Sequence, residues 1–263
     1  MKIGISTASL FMRLYNEDAV ALINEWGAET AEVFLTSFCE YEPRFARTLL
    51  KKKGDLFVNS VHILNTQFEP QLFSAHPRVK ADAYAWLNKV MESACILGAK
   101  NYTFHGLARL KASFKEDLLK AGKNLAEISA FCGERGVTLC LENVEWALYN
   151  RAGLFQKLKQ YCPELKGVLD IKQAKISGYA YEEYLSDMGE SLAYVHASDF
   201  DESGKKCLPG RGVFDFDELF KRLHGSGFDG AVIIENYSDD YRELKELKDS
   251  YDYLLEKAEK IFR

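Results

Sequence analysis

Four side chains able to bind a metal ion each close a short, mostly apolar segment of this sequence. The segments read TLCLE, GVLD, AYVH and VIIE, and the closing residues are Glu142, Asp170, His196 and Glu235. Three carboxylates and one imidazole form an oxygen-rich ligand set that suits Mn²⁺ or Mg²⁺, and also Zn²⁺. A buried carboxylate is unfavourable unless a cation or another partner compensates its charge. The pattern therefore predicts that these four residues share a divalent metal ion.

Two histidines close earlier segments of the same kind. His62 follows LFVNSV, and His105 follows NYTF. We expect both imidazoles to form hydrogen bonds with substrate oxygens or to bind a second metal ion. Histidines that are only structural and hydrogen-bonded within the core are the alternative.

The apolar segments alternate with helical patterns along the whole chain. Strands are predicted at 2–6, 30–34, 56–62, 101–105, 138–142, 165–170, 192–197 and 230–235. Helices are predicted near 18–26, 43–53, 77–97, 115–135, 153–161, 181–188, 216–225 and 241–262. This rhythm predicts an α/β fold, a (β/α)8 TIM barrel that forms a single domain over residues 1–263. An open doubly wound sheet is the alternative, but the STASL segment after the first strand is no glycine-rich phosphate loop.

The barrel prediction places the candidate residues together. In a parallel barrel the C-terminal ends of all strands meet at one face, and that face carries the active site. The four predicted ligands and the two histidines all close strands, so we expect all six side chains to converge on this face.

Two loop residues are further candidates for the site. Arg211 lies in the turn LPGRG, where its guanidinium could bind a carboxylate, phosphate or hydroxyl group of the substrate. Trp146 follows Glu142 by four positions, so it is expected to form an apolar wall of the pocket. A plain turn and plain loop packing are the respective alternatives. Lys172, two positions after Asp170, is expected to be a solvated loop charge, with a contact to the substrate as the alternative.

The amino-acid composition limits the classes of molecule that this protein is expected to bind. The 39 acidic and 34 basic residues give a net charge of −5, which argues against binding to a nucleic-acid backbone. The six cysteines form no CxxC pair, as is typical of free thiols in a reducing cytoplasm. No segment approaches the roughly 18 apolar residues of a membrane span. We therefore expect a cytoplasmic protein without a nucleic-acid partner or a membrane-spanning segment.

The motifs LEN, LD, VHASD, LPGRG and IIEN together resemble those of the xylose-isomerase-like TIM-barrel superfamily, over essentially the whole chain. This group includes sugar phosphate isomerases, ketose 3-epimerases, hydroxypyruvate isomerases, inosose dehydratases and the endonuclease IV enzymes of AP endonuclease family 2. The resemblance to the epimerase branch implies that Glu142, Asp170, His196 and Glu235 bind the metal ion. It also implies that the two glutamates serve as the acid and base, one on each face of the substrate.

The resemblance implies a metal-dependent isomerase or epimerase of a sugar, sugar acid or sugar phosphate. The reaction would transfer a proton through a metal-bound enediolate. Mn²⁺ is the first expectation for the cofactor, with Mg²⁺, Zn²⁺ and Co²⁺ as alternatives. The partner would be a small sugar molecule, and a homo-oligomer would be in keeping with the dimers and tetramers that relatives often form.

One position departs from the family pattern. The family usually carries a histidine three residues after the strand-six aspartate, where this chain has Gln173. An amide does not titrate and is a poor metal ligand, but it can form hydrogen bonds with a substrate. We expect Gln173 to contact the substrate, as the histidine does in the epimerase branch. A sugar dehydratase, an endonuclease IV-like phosphodiesterase and a non-catalytic sugar-binding barrel remain as alternatives.

Overall fold

Eight parallel strands close into a barrel in the computed structural model, which describes residues 1–64, 68–109 and 117–262. The strands of these residues are β1 (Lys2–Ser6), β2 (Thr30–Leu35), β3 (Val58–Ile63), β4 (Asn101–Phe104), β5 (Thr138–Glu142), β6 (Lys166–Asp170), β7 (Leu192–Ala197), β8 (Asp199–Phe200), β9 (Lys206–Cys207) and β10 (Ala231–Ile234). The order around the barrel is β1-β10-β7-β6-β5-β4-β3-β2, and the parallel pairing of β1 with β10 closes it. The predicted (β/α)8 TIM barrel is confirmed.

Helices follow the strands and pack around the outside of the barrel. They are α1 (Asn16–Glu25), α2 (Pro43–Lys52), α3 (Pro77–Leu97), α4 (Leu118–Gly133), α5 (Phe155–Lys159), α6 (Ile171–Ile176), α7 (Tyr181–Met188), α8 (Phe216–Gly225) and α9 (Leu244–Phe262). Asp117, Asp170 and Asp215 precede α4, α6 and α8, and each accepts a hydrogen bond at 2.8–2.9 Å from the backbone N–H three residues later. Such side-chain caps explain where these helices begin. Within the described ranges, no helix combines the length and apolar character needed to cross a membrane.

The strand bounds differ from the predicted ones by at most two residues, but two elements escape prediction. One is α6, which follows β6 directly, and the other is the antiparallel hairpin of β8 and β9 after β7. Both are too short to show a hydrophobic period. The helix predicted near 115–135 begins at Leu118, after residues 110–116, which lie outside the described part of the chain.

The barrel interior is layered along the strands. One layer is the apolar group Cys140, Val168, Tyr194, Ala231 and Ile233. Side chains two positions apart on a strand point to the same face. The residues two positions beyond Cys140, Val168, Tyr194 and Ile233 are therefore the next interior layer, at the C-terminal mouth of the barrel, and they are the four predicted metal ligands.

Gly98, the residue that ends α3, has a φ of 75°, in the left-handed region. A Cβ is unfavourable in this conformation, so we expect Gly98→Ala to lower the free energy of unfolding by about 1 kcal/mol. Urea denaturation with an unchanged slope measures the change. Gly133→Ala is the matched control, because its φ is not positive and a Cβ there would meet no heavy atom within 4 Å. Equal stabilities of the two variants would contradict the prediction.

Candidate active site

The structure brings the four predicted metal ligands together at the mouth of the barrel. One ligand atom from each of Glu142, Asp170, His196 and Glu235 lies within 4.8 Å of the others. All four residues are at most 5% exposed. His196 Nδ1 lies 2.9 Å from Glu142 Oε1 and 3.5 Å from Glu235 Oε2. We call these four residues the ligand cluster.

The asparagines that follow the two glutamates hold the ends of their strands in place. Asn143 Nδ2 donates to the Asp170 carbonyl at 2.9 Å, and Asn143 Oδ1 accepts from the Asp170 N–H at 2.7 Å. Asn236 donates through Nδ2 to the Cys207 carbonyl at 2.9 Å, and its N–H donates to Ser9 Oγ at 3.0 Å. In each Glu-Asn pair, the glutamate therefore belongs to the ligand cluster, and the asparagine amide positions the neighbouring backbone.

Glu32 on β2 is a buried site residue that the sequence analysis missed. Its carboxylate accepts hydrogen bonds from Ser60 Oγ at 2.8 Å and from Ser6 Oγ at 3.1 Å. His196 Nε2 lies 3.3 Å from Glu32, while His196 Nδ1 faces the ligand cluster. A carboxylate behind a metal-binding histidine fixes the orientation of the ring. The sequence did carry a signal, because a glutamate inside the apolar strand TAEVFL needs a buried partner.

The pKa values around Glu32 follow from burial and charge. Burial alone would raise the pKa of Glu32, but the His196 and His62 imidazoles hold it well below its usual range. Burial alone would lower the pKa of His62, whereas Glu32 and Glu235 raise it to about 10. The same two carboxylates raise the pKa of His196 well above its usual value. The buried carboxylates of this site therefore strongly favour positive charge beside them.

His62 and His105 both lie beside the ligand cluster, on β3 and directly after β4. Their Nε2 atoms are 3.0 Å apart. His62 Nδ1 lies 3.4 Å from Glu235 Oε1, and His105 Nε2 lies 3.5 Å from Glu142 Oε2. His62, His105 and Glu142 also form a second group whose ligand atoms are close enough to share a metal ion. Either predicted role of these histidines is compatible with their positions.

Lys172 is buried in the site, so the expectation of a solvated loop charge is wrong. The residue is only 4% exposed, and its Nζ lies 3.2 Å from Asp170 Oδ2 and 3.1 Å from Glu235 Oε2. Burial by itself would lower the pKa of Lys172, but the two carboxylates raise it well above its usual value. The reason is that α6 starts immediately after Asp170 and that Glu235, from another strand end, stabilises the buried ammonium.

A pocket of about 400 Å³ opens above the ligand cluster, a volume typical of small-molecule sites. Its apolar lining includes Phe11, Phe34, Trp146 and Tyr237. Gln173 also lines the pocket, and its Oε1 accepts a hydrogen bond from the backbone of Glu145 at 3.2 Å. A larger groove of about 550 Å³ beside α4 is lined by neither histidine nor glutamate, so the smaller pocket is the better candidate.

The structure does not bring Arg211 to this pocket. Its side chain is 51% exposed and lies 3.8 Å from Asp249, and it is not among the described residues that line the pocket. The LPGRG turn is instead organised by Asp199, whose Oδ2 accepts hydrogen bonds from the N–H groups of Gly210 at 3.0 Å and Gly212 at 3.1 Å. A Cβ on Gly212 would lie 2.2 Å from the Phe200 carbonyl. Backbone hydrogen bonds and close backbone packing therefore account for the two glycines of this turn.

The charge distribution of the ligand cluster fits a divalent cation. Asp170 Oδ2 is buried and accepts no hydrogen bond from the described residues. Burial raises the pKa of Asp170 to about 7; Lys172 opposes this shift, and Glu142 adds to it. Lys172 therefore compensates this carboxylate only in part, and a hard dication with oxygen ligands would provide the further positive charge.

Replacing Glu32 tests its role beneath the cluster. Glu32→Gln is expected to lower the free energy of unfolding by about 3 kcal/mol, because it removes a buried negative charge that lies against two buried imidazoles. Urea denaturation at pH 7 measures the loss. The control is Glu127→Gln, which removes an exposed ion pair with Lys80 and is expected to cost less than about 1 kcal/mol. A Glu32→Gln protein as stable as the wild type would show that Glu32 does not compensate the histidines.

Three solved structures have folds similar to the fold of this chain. D-psicose 3-epimerase from Clostridium cellulolyticum H10, solved with D-tagatose, has a TM-score of 0.80 and 17% identity over 100% of both chains. The IOLI protein, solved with a zinc atom, has a TM-score of 0.79 and 17% identity over 100% of this chain and 99% of that one. The probable 3-DHS dehydratase AsbF from Bacillus anthracis has a TM-score of 0.76 and 15% identity over 97% and 99%.

These structural similarities show the fold, and the sequence itself shows the family. No curated protein matches this sequence closely enough to count as a relative. A family model described as xylose isomerase-like TIM barrel matches residues 20–257, which is most of the chain. The predicted resemblance is confirmed, and the chain belongs to the xylose isomerase-like TIM-barrel family.

Proposed function

We propose that this chain is a divalent-metal-dependent isomerase or epimerase that acts on a sugar or sugar derivative. The observation that carries the proposal is the meeting of Glu142 and Glu235 with Asp170 and His196 beneath one pocket. The two glutamates approach from β5 and β10, which two other strands separate, so they can serve different sides of one substrate carbon. The likeness to the D-psicose 3-epimerase structure supports this class of reaction.

The ligand cluster is where the ion would bind. A divalent ion held there would supply Lewis acidity to a substrate carbonyl and so acidify the adjacent C–H. Mn²⁺ is our first expectation, because three of the four ligands are carboxylates. The zinc atom in the IOLI protein structure supports Zn²⁺ as the alternative.

Each glutamate offers two oxygens with different neighbours. Glu142 Oε1 faces His196, and Glu142 Oε2 faces His105. Glu235 Oε2 likewise faces His196, and Glu235 Oε1 faces His62. One oxygen of each residue can stay in the ligand cluster while the other accepts or returns a proton. One glutamate removes the proton beside the carbonyl and the other delivers a proton to the opposite face, a type of catalysis that contributes about 10²–10⁴-fold.

Residues around the pocket would position the sugar. Trp146 lies 5.3 Å from His105, ring centroid to ring centroid, and forms a wall on that side. Gln173 uses its Oε1 within the loop, which leaves the Nε2 donor for a substrate hydroxyl. His62 and His105 are the further candidates for contacts with substrate oxygens, because both line the pocket.

The likeness to AsbF, a probable dehydratase, favours a lyase as the second candidate. Both reactions begin when a carboxylate removes a proton next to a carbonyl. In a dehydratase the resulting electron pair then expels a neighbouring hydroxyl group, which takes up a proton from an acidic group and leaves as water. Product analysis separates the candidates, because an epimerase gives an isomer of unchanged mass and a dehydratase a product lighter by one water.

Proton transfer by Glu235 can be tested by isotope exchange. In D₂O, the wild type with Mn²⁺ is expected to exchange a carbon-bound proton of D-fructose, D-tagatose or L-ribulose, detected by NMR. Glu235→Gln keeps the shape of the side chain and is expected to slow the exchange by about 10²-fold or more. Glu256→Gln, an exposed position on α9, is the matched control and should exchange at the wild-type rate. Exchange by Glu235→Gln at the wild-type rate would exclude this glutamate as acid or base.

Metal content tests the ligand cluster directly. Plasma mass spectrometry is expected to find about one equivalent of divalent metal in the wild type and little in Asp170→Asn, which loses an anionic ligand. Asp252→Asn, on the exposed face of α9, is the control and should retain the metal. Two or three equivalents of zinc would instead favour the phosphodiesterase alternative. A wild type that binds no metal in excess Mn²⁺ would contradict the proposal.

A further inference from the structure

A lysine ammonium lies between two carboxylates of the ligand cluster. Lys172 Nζ is 3.2 Å from Asp170 Oδ2 and 3.1 Å from Glu235 Oε2. The side chain is 5% exposed, and the Tyr237 ring covers it at 4.8 Å from the ring centroid. Because Lys172 is the second residue of α6, which the Asp170 side chain caps, its backbone is fixed beside the cluster.

The ammonium faces the same oxygens that a metal ion would need. Asp170 Oδ1 already accepts the N–H of Gln173 at 2.8 Å, so Oδ2 is the oxygen left for the cluster. Glu235 Oε1 faces His62, so Oε2 is its oxygen on the cluster side. Lys172 lies next to both of these atoms. Two cations so close together in a buried site repel each other strongly, because little water screens them.

We propose that the Lys172 ammonium competes with the divalent ion for Asp170 and Glu235, and so sets the metal affinity of the site. This inference rests on the proposed function, because it requires that the ligand cluster binds a metal ion. In the metal-free protein the single charge of Lys172 compensates part of the charge of the two carboxylates and stabilises the fold. When an ion binds, the ammonium yields both oxygens and turns toward the pocket that it already lines. Lys172 is thus a positioning residue that acts through the ligands.

Calorimetric titration of the metal-free proteins with Mn²⁺ tests this competition. Lys172→Met is expected to bind Mn²⁺ at least about tenfold more tightly than the wild type, because the competing charge is gone. Lys175→Met is the matched control: it removes an exposed lysine of the same helix and should leave the affinity unchanged. Damage to the fold would weaken binding, so tighter binding reports the charge itself.

Thermal unfolding gives a second readout from the same variants. Metal-free Lys172→Met is expected to melt below the wild type, and Mn²⁺ should raise its melting temperature by more than it raises that of the wild type. If this variant does not fold without metal, Lys172→Gln replaces it, because the amide still donates hydrogen bonds to the carboxylates. The same direction of change is expected.

The outcomes separate the inference from the function on which it rests. Equal or weaker Mn²⁺ binding by both neutral variants, with binding intact in the wild type, would overturn the competition and leave the metal site standing. Absence of Mn²⁺ binding in the wild type and in every variant would overturn both proposals.

Discussion

The compensation of buried negative charge is the constraint on which the mouth of this barrel depends. Carboxylates from four strands lie within the barrel, where water cannot stabilise them. Three imidazoles and one ammonium lie against them, and His62, His196 and Lys172 each contact more than one of these carboxylates. A charge cluster of this kind is stable only when its members stay in place together. The proposed metal binding and the proposed proton transfer would therefore depend on the same contacts that hold the barrel mouth together.

The two halves of the barrel support this cluster differently. On the side of β5, β6, β7 and β10, the layer beneath the ligands is apolar and includes Val168, Tyr194 and Ile233. On the side of β1 to β4, the layer is polar: Ser6 and Ser60 donate hydrogen bonds to Glu32. The polar half carries a buried negative charge that orients His196, and the apolar half packs beneath the ligand cluster. This asymmetry places the carboxylates of the ligand cluster on one side of the mouth and Glu32 on the other.

The loops that follow β6 and β7 contribute to the site in different ways. The short helix after β6 places Lys172 against the ligand cluster and Gln173 at the pocket. This single short segment therefore supplies both a cation and an amide. Asp199 of the hairpin after β7 accepts the N–H of Gly210, and neither the hairpin nor the LPGRG turn is among the described residues that line the pocket. Specificity in barrels generally lies in such loops, and the chemistry lies at the strand ends. This chain follows that division: the ligand cluster lies at strand ends, and Phe11, Trp146 and Tyr237 of the pocket wall lie in loops.

The sequence by itself determined the barrel, the strand ends and the ligand cluster. Each ligand closes an apolar run, and strand periodicity together with the convergence of parallel strands is enough to bring such residues to one mouth. Only the tertiary structure decided the places of Glu32, Lys172 and Arg211. Glu32 and His196 are 164 residues apart, and only closure of the barrel makes them neighbours. The helix α6, which carries Lys172, is too short to show a hydrophobic period in the sequence. The direction of Arg211 depends on the hydrogen bonds that the LPGRG turn donates to Asp199. Contacts across the fold therefore decided these positions, which the local sequence could not predict.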